Sequence, residues 1–314
     1  MELEDIVSVS KIPNMQYGAR QFLLWWEDVL SQGLQYIDQN QSSLEQLAAL
    51  LVDAGNGSMA RQLRLAAALF DQGDVKEWMG IITQQSLVAK SLLQIESFDS
   101  LAQIDLLLTA GMKLKRKAWQ AIPEIEDQWV VLGQEIQQVE NLSERRVFLQ
   151  SRQKGKIALL LDFLFRSNEF EDPWEVGAVY YAKLQFYPNV LPHRAKVLQR
   201  KRVAATPFWK GIRKWSTLQQ HLLRSVNAYP WKSYFPLIME QNCIHNSKEG
   251  FFLSDVDGRL GAQIHHADDA ARLLFYSQGQ PFHFFAVWQQ GQLAMKSLLN
   301  EGGVIPLKDT IWTH

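Results

Sequence analysis

The feature that most constrains this chain is a change of hydrophobic rhythm near Pro123. Before it, apolar residues recur at helical spacing. After it, they recur every second residue. In GARQFLLWWEDVLSQGLQYI, Phe22, Leu23, Trp26, Val29, Leu30 and Leu34 fall near one helical stripe, with Gly33 late in the run. SSLEQLAALLVDAG offers Ser42 or Ser43 as an N-cap, with Glu45 placed to close a capping box on Ser42, and Gly55 or Gly57 as the stop. SMARQLRLAAALFDQG repeats the pattern, and DVKEWMGIITQQSLVAKSLLQIESF and SLAQIDLLLTAGM supply two more helices. Short connections favour antiparallel packing of neighbours.

Beyond Pro123, DQWVVLGQEIQQVENLSERRVFLQS is rich in β-branched and aromatic residues. RQKGK follows as a hairpin turn in which Gly155 takes positive φ. IALLLDFLF reads as a largely buried strand and AVYYAKLQFYP as another. Pro188 and Pro192 bracket a loop that carries His193, and HRAKVLQ resumes as an edge strand. WSTLQQHLLRSVNAY is a helix capped by Ser216 or Thr217, and Asp257-Gly258 and Gln290-Gly291 mark hairpin turns. The expectation is an α+β chain: an all-α helical bundle over 1–122, then a mixed, mainly antiparallel β domain with a few helices over 123–314.

Length allows a large core. The single cysteine, Cys243, excludes an internal disulfide framework and any multi-cysteine zinc site. The acidic start MELEDIVSVSKIPNM lacks the basic-then-apolar pattern of a signal peptide, and no apolar run reaches the ~18 residues of a membrane span, so a cytoplasmic location is expected.

Charge is segregated. Between Val176 and Met239 there is no Asp or Glu, yet the window holds 11 of the 32 basic residues; the remainder carries 21 basic against 33 acidic ones. Arg194, Lys196, Arg200, Lys201, Arg202, Lys210, Arg213 and Lys214, interleaved with Trp209 and Trp215, are the candidate residues for an anion or a partner. QRKRVAATPFWKGIRKW reads as an exposed loop at the centre of this patch.

DQWVVLGQEIQQVENLSERRVFLQSRQKGKIALLLDF, LQFYPNVLPHRAKVL, YPWKSYFPLIM and GQPFHFFAVWQQGQL resemble the region that follows the zinc motif in bacterial SWIM-type zinc-finger proteins. GARQFLLWWEDVLSQGL and LVDAGNGSMARQLR resemble the same proteins further upstream. The resemblance implies a bacterial cytoplasmic protein of a kind often encoded near MoxR-type AAA+ ATPases and von Willebrand A-domain (VWA) proteins. SWIM fingers use a C-x-C…C-x-H ligand set, which is absent here, so zinc binding does not carry over.

Other chemistry is weaker. Cys243 and His245, with His265, His266, Asp268 and Asp269, are metal-binding types, but their spacing fits no closed zinc pattern, and Asp268 or Asp269 reads equally as a helix N-cap. GNGSMA echoes a phosphate loop but sits between two helical patterns, and no nucleophile motif is present. The leading expectation is a non-enzymatic cytoplasmic adaptor or scaffold without a cofactor, whose protein partner, by resemblance, is a MoxR-type ATPase or VWA protein. A nucleic-acid-binding module using the 176–239 window, with weak non-specific binding, is the second. A metal-dependent hydrolase at His265/His266 is the third.

Overall fold

The computed structural model describes all residues except 1, 40, 140–141, 166–169, 171–172, 189–192, 290 and 314. It divides into two compact units. One comprises Met1–Ile122, Pro188–Val190 and Val226–Lys232; the other comprises Pro123–Tyr187, Leu191–Ser225 and Ser233–His314.

The first unit is helical: α1 (Leu3–Ile6), α2 (Ile12–Gln32), α3 (Gln35–Gln39), α4 (Gln41–Asp53), α5 (Gly57–Asp71), α6 (Val75–Leu93), α7 (Ser100–Ala110) and α8 (Ala118–Ala121). Helix α2 buries Met15, Ala19, Phe22, Trp25, Trp26 and Val29, a stripe at three- and four-residue steps. Leu30 and Leu34, placed on that stripe by sequence, are exposed. Trp25 takes part in the stripe, which rotates the buried face away from them. The expected stop after α4 is present, with Gly55 at φ 89°, and GNGSMA is the α4–α5 turn, fixed by buried Asn56 donating to the Met15 carbonyl. Asp74 and Asp99 accept from the third amide of α6 and α7, which are ordinary N-caps. Helix α4 begins at Gln41; the Ser42 side chain lies outside the described residues, and Glu45 pairs with Arg64 at 3.0 Å.

Residues Val226–Lys232 return to this helical core. Trp231 is buried, sets its ring edge-on to Phe98 at 4.9 Å, and donates its indole N–H to Asp105 Oδ2 at 2.7 Å. Lys232 Nζ lies 2.9 Å from Asp105 Oδ1, and Asp105 is fully buried. A buried carboxylate is tolerated because it is paired and hydrogen-bonded.

The second unit holds two barrels. Strands β1 (Glu124–Val139), β2 (Leu142–Ser151), β3 (Ile157–Phe165), β4 (Val179–Phe186) and β5 (Arg194–Val203) close in the order 1-2-3-5-4. All pairs are antiparallel except β3–β5, which is parallel. This is the five-stranded Greek-key arrangement of OB-type barrels. Strand β1 pairs with β4 over its first half and with β2 over its second, turning at an irregularity between Val131 and Gly133. Strand β5, expected as an edge strand, instead pairs with β4 along almost its whole length and touches β3, because the barrel closes on itself. Gly155 takes φ 64° in the β2–β3 turn, as expected.

The chain then forms α9 (Trp215–Ala228), β6 (Tyr234–Ser247), β7 (Gly250–Ser254), β8 (Leu260–Ile264), α10 (Ala267–Ser277), β9 (Phe282–Gln289), β10 (Gln292–Asn300) and β11 (Gly303–Thr313). These six strands close in the order 6-7-8-11-10-9. Gly258 turns between β7 and β8 with φ 73°; of the expected Gln290-Gly291 turn, Gln290 lies outside the described residues and Gly291 has φ 80°. Helix α9 starts one residue before the expected Ser216 or Thr217 caps. Its first amide, on Trp215, is accepted by Asp255 Oδ2 at 3.0 Å from the β7–β8 turn. Helix α10 starts from His266, and Asp268 and Asp269 sit inside its first turn instead of at its cap position, where their charge still favours the helix N-terminus.

The two barrels share a core. Val130, Leu132, Phe148 and Leu159 on the outer face of the first pack with Ile238, Phe285, Val287 and Leu299 of the second. Trp129, Val131, Val147 and Leu160 fill the first barrel's interior. Burial on both faces explains the unbroken apolar runs WVVL (129–132) and ALLL (158–161). A charged group bridges the barrels: Lys296 Nζ lies 2.8 Å from Glu135, Tyr234 donates to Glu135 at 2.7 Å, and the Arg146 guanidinium lies over the Tyr234 ring at 4.9 Å. Burial, and then the Glu135 carboxylate, hold the Tyr234 hydroxyl well above its usual range.

Candidate functional site

The β3–β5 ladder is short. Among the described residues, Leu159↔Arg194 and Leu160↔Ala195 pair, and the strands then part. The parting opens a cleft of about 560 Å³, lined by Leu160, Leu161 and Asp162 of β3, by every residue of 194–200 on β5, and by Arg145, Trp174 and Tyr187.

The lining carries four cations, Arg145, Arg194, Lys196 and Arg200, and one carboxylate, Asp162. Arg145 reaches Asp162 Oδ2 at 2.6 Å, with its side chain nearly buried, and its guanidinium lies over the Phe170 ring at 4.2 Å. The Arg200 guanidinium lies 4.1 Å from the centre of the Trp174 ring, and that of Arg194 4.4 Å from the centre of the Tyr187 ring. These stacks fix two arginines with their planes against aromatic faces, at low cost in side-chain freedom.

Of the ten residues singled out by sequence, Arg194, Lys196 and Arg200 meet in this cleft. The others are dispersed. Arg202 pairs with Glu175 at 3.0 Å, Arg213 with Glu240 at 3.0 Å and Lys214 with Asp257 at 2.8 Å. The acidic partners therefore come from the residues that flank the window and from the β7–β8 turn. Lys201 is exposed on β5, and exposed Lys210 donates its backbone N–H to Gln150 Oε1 while its carbonyl accepts from Gln150 Nε2. Trp209 is half-buried, 5.8 Å from His283. Trp215 is no surface anchor: it is buried in the six-stranded barrel, flat against Gly261, where an added Cβ would fall 1.9 Å from the ring. The expected exposed loop QRKRVAATPFWKGIRKW is strand β5 at its start, and only 204–214 runs outside helices and strands.

Sequence reasoning missed Arg145 and Trp174; Tyr187 was within reach as one of the aromatics interleaved with the basic window. Arg145 did carry a signal. It alternates with Val147 and Leu149, so it is a charge on the inward face of a strand.

The metal candidates do not assemble. Cys243 and His245 lie on β6, His265 and His266 follow β8, and Asp269 pairs with Arg272 at 3.2 Å. Among the described residues no group of three His, Cys, Asp or Glu is placed to hold a metal. No helix of the described residues is long and apolar enough to cross a membrane.

The described residues thus hold a helical unit, two barrels with a shared core, and a basic cleft where β3 and β5 part. Comparison with family models agrees with the helical part: residues 10–119 match the SWIM-associated four-helix bundle domain, consistent with a region following a SWIM zinc motif, and the zinc cysteines are absent. Comparison with curated proteins and with solved structures gave no match.

Proposed function

We propose that this protein is a non-enzymatic bacterial cytoplasmic adaptor that holds an acidic part of a protein partner in the cleft between β3 and β5. The observation that carries this reading is the lining: four cations against one carboxylate, two of the cations braced on aromatic rings. A partly desolvated cleft of one sign concentrates ligands of the other and gives selectivity through charge. The partner class, a MoxR-type ATPase or VWA protein, rests on the family resemblance alone.

The nucleic-acid reading is less well supported. In OB-type barrels, oligonucleotides bind on the face of strands 2 and 3. Here Phe148 and Leu159 on that face belong to the core shared with the second barrel. The test compares the full chain with its Arg194→Glu/Lys196→Glu variant. An acidic peptide, a neutral one and an oligothymidylate are titrated by fluorescence anisotropy. Copurification from the native host, read by mass spectrometry for ATPase and VWA subunits, accompanies it. The expected result is selective binding of the acidic peptide, lost in the variant. Equal binding of the neutral peptide, or unchanged binding by the variant, overturns the reading.

A further inference from the structure

Away from the cleft, a strained stretch of β6 meets the segment 204–214. Strand β9 sends Phe282, Phe284 and Ala286 into the interior of the six-stranded barrel, and Phe285 and Val287 into the core shared with the first barrel. His283 falls on that second face. Opposite it the ladder is irregular: Met239 pairs with Phe284 and Asn242 with Phe282, which leaves Glu240 and Gln241 facing the single residue His283. This is a bulge, and Gln241 takes φ 53°, a conformation that a non-glycine residue holds only when its surroundings impose it. The nearly buried Glu240 carboxylate grips 204–214: Gly211 donates its N–H to Oε1 at 2.6 Å and Arg213 donates from Nε to Oε2 at 3.0 Å. Ile212 adds backbone hydrogen bonds to Ile238 and Glu240, both at 2.8 Å. From the first barrel, Arg152 donates to the Thr206 carbonyl at 2.8 Å and Gln150 holds both backbone groups of Lys210. Between these anchors Trp209 packs on the shared core with its ring 5.8 Å from that of His283. His283 Nδ1 is buried there with no hydrogen-bond partner among the described residues.

We propose that 204–214 is a latch that acid opens: proton uptake at His283 releases Trp209 and loosens the segment from β6 and β9. While the latch is closed, a proton on Nδ1 would be a charged donor without an acceptor. Once it opens, water supplies one. The charged groups that face the imidazole are Glu240 of β6, which favours its proton, and Arg213 of the latch, which opposes it; β10 sets the apolar Leu299 opposite. Burial outweighs Glu240, so the closed form titrates below the ordinary histidine value. The open form returns to that value, ~6.5. As pH falls through it, the open form binds a proton and the closed form does not, so closure is strongest above ~6.5 and weakens toward the folded pKa. The latch does not depend on what the cleft binds.

The test follows hydrogen exchange of peptides covering 204–214 in the full chain, corrected for the intrinsic pH dependence of exchange, at about pH 7.5 and about pH 5.5, either side of the free imidazole value. Protection should fall about threefold or more in acid, and less than about 1.5-fold in His283→Phe, which keeps a ring at the position. No fall in the native chain overturns the latch. An equal fall in His283→Phe also overturns it and assigns the acid response to Glu240. A fall of the same size across β9 and β10 marks general acid unfolding and overturns it too. Titration of the imidazole by NMR needs no folded His283 variant. His283 should titrate below ~6.5 in the native chain and return to that value in Trp209→Ala. An ordinary value in the native chain, or the same depressed value in Trp209→Ala, overturns the latch.

Discussion

The two barrels solve one problem differently. Each opens with a long strand that pairs with the second and fourth strands of its own set: β1 with β2 and β4, and β6 with β7 and β9. Each closes through a weak seam between its third and last strands, two residue pairs at β3–β5 and one, Thr313↔Ile264, at β8–β11. At the second seam, Ile264 and Ile311 join a cluster with Trp215 and Leu218 of α9 and with Leu273 of α10. At the first, charged side chains line a cleft. One seam is packed with apolar side chains of two helices, while the other is lined by charge.

The largest expected effect breaks the filled seam. Trp215→Ala should cost about 3–5 kcal/mol, as for other buried aromatics, and should lower the urea midpoint sharply. Arg200→Met at the open seam should leave the midpoint almost unchanged. A tolerant Trp215→Ala would mean that both seams are equally loose. Next, Arg194→Glu/Lys196→Glu should weaken acidic-peptide binding at least tenfold, and Lys196→Glu alone, at an exposed position, should shift stability by no more than about 0.5 kcal/mol, the usual range for exposed charge changes. Unfolding of that variant would show the open seam to be structural as well.

A smaller effect concerns the anchor of α9. Burial raises the Asp255 pKa, but the amides of Trp215, Arg259 and Asp257 outweigh it, so the carboxyl titrates below its ordinary value. A depressed folded pKa contributes stability above the unfolded value, ~3.9, and that contribution fades as pH falls through it toward the folded pKa. Acid below about pH 4 should therefore weaken this anchor, and Asp255→Asn, which keeps a carbonyl acceptor but removes the titrating charge, should flatten that part of the stability–pH curve. The smallest effect is at the exposed Arg202–Glu175 pair, where Arg202→Ala should change stability by about 0–1 kcal/mol and less in high salt. A larger loss would tie this pair to the closure of the first barrel.

Much of the architecture was legible because it is periodic. The buried stripe of α5, Met59, Ala60, Leu63 and Ala66, repeats every three or four residues, and the runs of β1 and β3 are long enough to read as strands. The cleft was only partly legible. Its three cations on β5 stand in an acid-free window, but Arg145 belongs to another strand, and the point where β3 and β5 part is set by long-range pairing that no local pattern encodes. The basic window misled by contiguity. Alternation along β5 and capture by Glu175, Glu240 and Asp257 scatter what looks in sequence like one patch.

The return of residues 226–232 to the helical core also sets a timetable. The helices up to residue 122 leave the ribosome well before Trp231 and Lys232 are made, and at ~5–20 residues per second the interval lasts several seconds. Throughout it, the nascent bundle lacks the indole that fills its core beside Phe98 and the lysine that meets Asp105. The segment matched by the family model, 10–119, is thus shorter than the piece of chain that completes this fold. A protease or chaperone acting on the growing chain would meet an unfinished bundle, and maturation of the first-made unit waits on an event in the second half of synthesis.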